Sequence, residues 1–171
     1  EGNLDEATRA EFFESGMAHV RALFGAIERR EGGVWRPGTT VDLGCGVGRL
    51  AIPLACNSDQ VIAVDVSPSM LMEVERNCKS YGVTNLNAVL SDDTLSKVPE
   101  RVDFFHSYLV LQHIPAARGM RLIREMTGRI CEGGYVGFQV YTSCNANPWL
   151  RAIVRLRYVF KPLNWLRNII R

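Results

Sequence analysis

Apolar side chains at Phe13, Met17, Val20, Phe24 and Ile27 recur in alternating steps of four and three, which is one face of an amphipathic helix. Gly32 and Gly33 end it, and Pro37-Gly38 makes a turn. From Thr39 the pattern changes to short apolar runs separated by longer helical stretches. TVDLG reads as a strand and GRLAIPLACN as a helix, with Pro53 tolerated near its first turn; QVIAVDV is a second strand. SPSMLMEVERNCKSYGV starts with Ser67 as N-cap and Pro68 at the first helical position. NLNAVL is a weaker strand and RVDFFHSYLVL a strong one. PAARGMRLIREMTGRICEGG is predicted to be a helix closed by Gly133 and Gly134, before a last strand in YVGFQVYT.

Strands alternating with helices predict an α/β fold, a doubly wound and mostly parallel sheet with helices on both faces. Ligands of such sheets bind beyond the carboxyl ends of the strands, where the strand order reverses. The loops that follow the strands are therefore the candidates for chemistry.

Composition changes this picture little. The 171 residues suit one main domain, and a hydrophobic share of 47% with 22% charged residues is ordinary for a globular protein. No run approaches the length of a membrane-spanning helix, and the acidic start lacks a signal core. Five cysteines without CxxC or paired histidine spacing argue against a disulfide framework or zinc site, so a reducing cytoplasm is the expected compartment. No nucleic-acid signature is evident.

Charge is uneven. The stretch from Trp149 onward holds six basic residues and no acids, which leaves 14 basic against 18 acidic in the first 148 residues. In the tail Leu163, Trp165, Leu166, Ile169 and Ile170 share one side, opposite Arg167 and Arg171. It reads as a helix covering the sheet or a site at the sheet's edge, or as an interfacial helix that meets anionic lipid.

The loop after the first strand is Gly44-Cys45-Gly46-Val47-Gly48. Glycines there permit a tight turn and let a ligand lie against bare backbone. The dinucleotide fingerprint G-x-G-x-x-G needs glycine at position 49, which is Arg here. VDLGCGVGRL instead resembles the first motif of class I S-adenosylmethionine-dependent methyltransferases. VIAVDVSPSML, SDDTLSKVP, VDFFHSYLVLQHIP and CEGGYVGFQVY resemble the family's later motifs in the right order, so the likeness covers about residues 39 to 142.

The resemblance implies cofactor contacts from Asp42, Gly44, Cys45, Gly46, Gly48, Asp65, Val66, Asp92 and Asp93. Asp65 would meet the ribose hydroxyls, and Asp92 is the better placed of its pair for the adenine amino group. Asp42 reads equally as a structural acid pinning the loop amides. FFESG resembles a lid helix, which makes Phe12, Phe13, Ser15 and Gly16 candidate contacts. His113, just past the fourth strand, is the candidate catalytic base, with packing as its alternative role. His106 lies inside a strand and reads as buried structure, while Tyr108 and Tyr141 are candidates for the acceptor pocket. The family's usual final strand hairpin is expected to be missing or replaced by helices. The organisation expected is a lid over 1–34, a cofactor-binding core over 35–146 and a basic tail over 147–171. The function implied is methyl transfer from S-adenosyl-L-methionine to a small-molecule acceptor, with peripheral membrane contact through the tail as a second partner. The alternatives are a nicotinamide-dependent oxidoreductase and a non-catalytic module that keeps the fold.

Overall fold

The computed structural model describes residues 6–92 and 94–140 of the chain. The chain divides after Val140, and all the described residues fall in the first unit. Asp93, Tyr141 and the basic tail, where the family's final hairpin is expected to be missing or replaced by helices, lie outside the described residues.

In chain order the elements are helix α1 (Glu6–Glu31), strand β1 (Thr39–Leu43), helix α2 (Ala51–Cys56), strand β2 (Gln60–Asp65), helix α3 (Pro68–Tyr81), strand β3 (Leu86–Leu90), strand β4 (Val102–Ser107), helix α4 (Ala116–Gly128) and strand β5 (Ile130–Phe138). The five strands form one parallel sheet in the order β3-β2-β1-β4-β5. From β1 the chain winds outward through β2 to β3, then crosses back to place β4 on the other side of β1. The reversal of direction therefore falls between β1 and β4, the position where such sheets hold ligands.

Alternation along the strands divides the core between the two faces. Phe104 and Phe105 are adjacent, both have 0% exposure, and they enter different clusters. Phe104 packs with Val20, Phe24 and Ile27 of α1 and with Leu54 of α2. Phe105 packs with Leu122 and Met126 of α4, against Val41 and Ile62. Nearly unbroken burial along β1, β2 and β4, polar residues such as Asp42 and His106 included, follows from cover on both faces. Ser67 caps α3 as expected, accepting from the Met70 amide ahead of Pro68, and Gly82 ends the helix in the left-handed conformation.

Three expectations are corrected. Met17 is exposed, and Gly16 takes its place on the buried face of α1. A Cβ at Gly16 would lie 2.0 Å from the Arg49 carbonyl oxygen, so the missing side chain lets the helix rest on the glycine loop. The strong strand stops at Ser107, because Leu109 turns the backbone to φ +62° and a 3-10 turn follows at Leu111–His113. Helix α4 stops at Gly128, and Gly133 and Gly134 belong to β5. There β5 is irregular: Ile130 pairs with Val102, and the next partners are Tyr135 and Phe104. Gly133 has φ +79°, and a Cβ on Gly134 would sit 2.8 Å from the Asp103 carbonyl, so these glycines serve a bulge rather than a helix end.

Candidate functional site

The glycine loop leaves β1 beside the end of β2. The Gly44 and Cys45 amides both donate to the Val64 carbonyl, at 2.7 and 3.1 Å. The Gly46 amide donates to Oδ2 of Asp65 at 2.9 Å, and the Ser67 amide donates to Oδ1 at 2.9 Å. Behind the loop, the buried Asn77 of α3 donates to the Val47 carbonyl at 2.8 Å and accepts from Arg9 of α1. Three elements thus fix the loop.

Its glycines are not equivalent. All three have positive φ. A Cβ on Gly44 would meet Val110 at 2.1 Å, and one on Gly48 would meet Val74 at 2.5 Å. At Gly46 a Cβ would meet nothing within 4 Å. Gly44 and Gly48 are thus demanded by the protein's own packing, and Gly46 alone borders open space.

The Asp65 carboxylate stands at one wall of a cavity of about 350 Å³, with Gly44, Val66, Ser91, Asp92 and His113 around it. Each Asp65 oxygen has one backbone donor and retains acceptor capacity for a further one, which is what a vicinal diol requires. Val66 is exposed and offers an apolar surface to a flat ring. Asp92 is already engaged. Its Oδ1 accepts from the Thr94 amide, the Thr94 hydroxyl and the Ser96 amide, each at 3.0 Å, and its Oδ2 from the Ser96 hydroxyl. These donors, those of Ser96 foremost, hold the Asp92 carboxyl far below the usual range. Asp92 closes its own loop and keeps one acceptor position on Oδ2 for a ligand. His113 lines the same cavity, exposed, with Nε2 3.1 Å from the Gln112 side chain.

Cys45 is buried, its thiol directed to the Gly46 carbonyl at 3.6 Å. Burial, then the neighbouring Asp42 and Asp65, push the thiol far above its ordinary range, so it is an inert packing group. Asp42, on β1, is 2% exposed and faces β4. Its Oδ1 lies 2.8 Å from Nδ1 of His106, and the other ring nitrogen of His106 lies 3.4 Å from Nε2 of His19. Asp42 thus pairs with a side chain. No bond from its carboxylate to a loop amide is present among the described residues.

One side of the loop is covered by α1. Arg49 hydrogen-bonds Ser15 at 3.3 Å, and its guanidinium lies 5.8 Å from the Phe12 ring and 5.5 Å from the Tyr108 ring. Phe13 is buried against α2 and α3. Sequence reasoning missed His19, Arg49 and Asn77. His19 adjoins the buried stripe of α1 one residue before Val20, and Arg49 abuts the last glycine of the loop; these positions were their only signals.

No group of three or more His, Cys, Asp or Glu suited to a metal occurs among the described residues. The open space at Gly46, the diol-ready carboxylate of Asp65 and the apolar Val66 beyond it fit a nucleoside carrying an extended polar chain.

Fold and loop together define an α/β nucleoside-binding domain. The chain belongs to the methyltransferase domain family, matched over residues 40–134, within the S-adenosylmethionine-dependent class. That match spans the loop, Asp65, Asp92 and β4, and the nicotinamide alternative is not supported. Among curated relatives, the ubiquinone biosynthesis O-methyltransferase of Coxiella burnetii is 32% identical over 124 residues, covering 72% of this chain and 51% of the relative. The enzyme of the same description from Serratia proteamaculans is 28% identical over 139 residues, covering 79% and 55%. The chain spans about half the length of these relatives. A solved S-adenosylmethionine-dependent methyltransferase from Clostridium acetobutylicum shares the fold, with TM-score 0.55 and 24% identity over 59% of this chain and 42% of that one.

Proposed function

We propose that the chain binds S-adenosylmethionine along residues 44–48 and Asp65 and transfers its methyl group to a hydroxyl of a small molecule. The observation that carries this is the pairing of Gly46 with Asp65. One glycine faces open space, and its amide fixes a carboxylate that still has acceptor capacity on both oxygens. The O-methyltransferase names of the relatives support a hydroxyl acceptor.

When bound, the cofactor supplies a methyl group already activated on a sulfonium, so the protein's task is alignment and water exclusion rather than covalent catalysis. Asp65 orients the ribose end, Gly46 admits the chain that carries the sulfur, and α1 covers the loop through Gly16 and Arg49. Calorimetry with S-adenosylhomocysteine tests the reading. Wild type binds and Asp65→Ala loses at least about tenfold, since two charge-assisted hydrogen bonds are removed. Unchanged affinity in Asp65→Ala, or stabilisation by NADH in place of S-adenosylhomocysteine, overturns it.

Two further assignments rest on composition. The basic, Trp-containing tail supports contact with an anionic membrane surface. Liposome co-sedimentation of the full chain, lost in Arg167→Gln/Arg171→Gln, is the expected result, and retention by the double variant sinks it. The free thiols of Cys45, Cys56, Cys78 and Cys131 support a reducing compartment such as the cytoplasm. Fractionation of expressing cells that puts the protein in an oxidising compartment overturns this.

A further inference from the structure

The polar chain from Asp42 to His19 runs through the strand-order reversal, and the contacts just described give it no role in holding the cofactor. Asp42 and His106 have 2% exposure each, on adjacent strands and in register with one another. A buried acid and imidazole in such surroundings are costly to keep unless satisfied by one another. This pair is satisfied and also continues outward. His106 reaches His19, which is partly exposed on α1, and the His19 ring packs edge-on to Tyr108 at 4.5 Å. The Arg49 guanidinium lies 5.5 Å from the Tyr108 ring, next to the glycine loop.

The tautomers follow from the partners. An ionised carboxylate only accepts, so Nδ1 of His106 carries a proton and donates to Asp42. With that proton at Nδ1 and the lone pair at Nε2, His106 accepts from Nε2–H of His19 across the 3.4 Å contact. That leaves Nδ1 of His19 as a basic lone pair, with no hydrogen-bond partner among the described residues.

We propose that His19 is the proton acceptor for the methylated hydroxyl, held in its tautomer by His106 and Asp42. The inference rests on the methyl-transfer reading above. In the step, the hydroxyl oxygen's lone pair forms the new O–C bond and the sulfonium C–S pair returns to sulfur. The hydroxyl proton passes to Nδ1 of His19. The positive charge so formed faces His106 and, behind it, the Asp42 carboxylate, and the proton leaves to solvent with the product. Burial, His106 and Arg49, in that order, lower the affinity of His19 for a proton, while Asp42 raises it. His19 is therefore neutral at pH 7 and competent as a base, though a weak one. A base of that strength suits a phenolic hydroxyl, whose pKa is about 10, far better than an aliphatic alcohol. The groups facing His19 are His106 on β4, Asp42 on β1, Arg49 of the loop and Tyr108 after β4.

Two measurements decide the matter. In the full chain without ligand, two-bond 1H–15N correlations of the imidazoles should show His106 protonated at Nδ1 alone and His19 at Nε2 alone at pH 7. The His19 midpoint should lie below about 6.5. A charged His19 at pH 7, or one protonated at Nδ1, overturns the relay whether or not turnover is measured. The second measurement uses labelled S-adenosylmethionine with a catechol and the matching aminophenyl compound as probes. His19→Gln should keep wild-type affinity for S-adenosylhomocysteine within about threefold. It should lose about 10²- to 10⁴-fold in catechol methylation, and with it the rise of rate through the His19 midpoint. Undiminished turnover in His19→Gln overturns the proposal and leaves the methyl-transfer reading standing. Failure of wild type to bind S-adenosylhomocysteine removes that reading instead. Binding without methylation of the catechol, with or without methylation of the amine, overturns the phenolic acceptor.

Discussion

At the scale of the residue, the glycine loop separates packing from binding. Gly48→Ala would place a methyl 2.5 Å from Val74 at φ +93°, and Gly44→Ala one at 2.1 Å from Val110 at φ +76°. Both should destabilise the protein by more than about 2 kcal/mol, since overpacking adds to left-handed backbone strain. Gly46→Ala meets no atom, and its φ of +54° lies in the left-handed region that other residues enter at a cost of about 1 kcal/mol. It should therefore fold with a small loss of stability while its methyl intrudes on the ligand space. Thermal melts with and without S-adenosylhomocysteine check this. The expectation is two variants that melt early and one that melts near wild type without ligand protection. Full protection of Gly46→Ala would show that the loop's open side is not where the ligand lies. Which glycine serves which purpose was not legible in the sequence, because the three differ chiefly in neighbours distant along the chain, Val110 beyond β4 and Val74 of α3.

At the scale of the element, α1 is clamped to the loop at several points: Gly16 on the Arg49 carbonyl, Ser15 on its guanidinium, and Arg9 on Asn77. Gly16→Ala should lift the helix by about the overlap of a methyl with a carbonyl and cost about 1–3 kcal/mol. Because His19 is one turn further along α1, the same substitution should lengthen its contact with His106 and move the His19 midpoint toward its ordinary value. Chemical denaturation gives the first quantity and imidazole titration by NMR the second; an unchanged midpoint with a lowered stability would detach His19 from the clamp. The heptad-like spacing of Phe13, Val20, Phe24 and Ile27 announced the buried face of this helix. It also suggested Met17, because periodicity counts apolar residues and overlooks a glycine that is buried for lack of a side chain. Gly133 and Gly134 misled for a related reason. A pair of glycines after a helical run reads as a helix stop, and only pairing of β5 with β4 shows that they form a bulge. The parallel order, by contrast, was legible, since apolar runs buried on both faces alternated with helices and left few other architectures.

At the scale of the molecule, the shifted groups set a window of stability in pH. His19 has a folded-state pKa below its unfolded value, so the native state binds fewer protons there than the unfolded chain. Its contribution is complete above about pH 6.5 and is lost progressively as pH falls toward the lowered value. Asp103, drawn down first by the Cys131 thiol and then by the Thr39 and Gly38 amides, acts in the same sense further into acid. Cys45 acts at the other end. Its thiol is raised by burial and by Asp42 and Asp65, so its contribution is complete below about pH 8.5 and is lost as pH rises and the unfolded thiol ionises. Stability should therefore be level between about pH 6.5 and 8.5 and fall on both sides. Urea midpoints across pH 5 to 10 test this, and His19→Gln should flatten the first part of the acid limb alone. Cys45→Ala should flatten the alkaline limb while lowering the plateau, since it leaves a small void among Leu50, Ala51 and Val61. An acid limb that stays as steep between pH 6.5 and 5.5 in His19→Gln would place the titrating group elsewhere in the sheet, and would remove the electrostatic support for a neutral imidazole beside Tyr108.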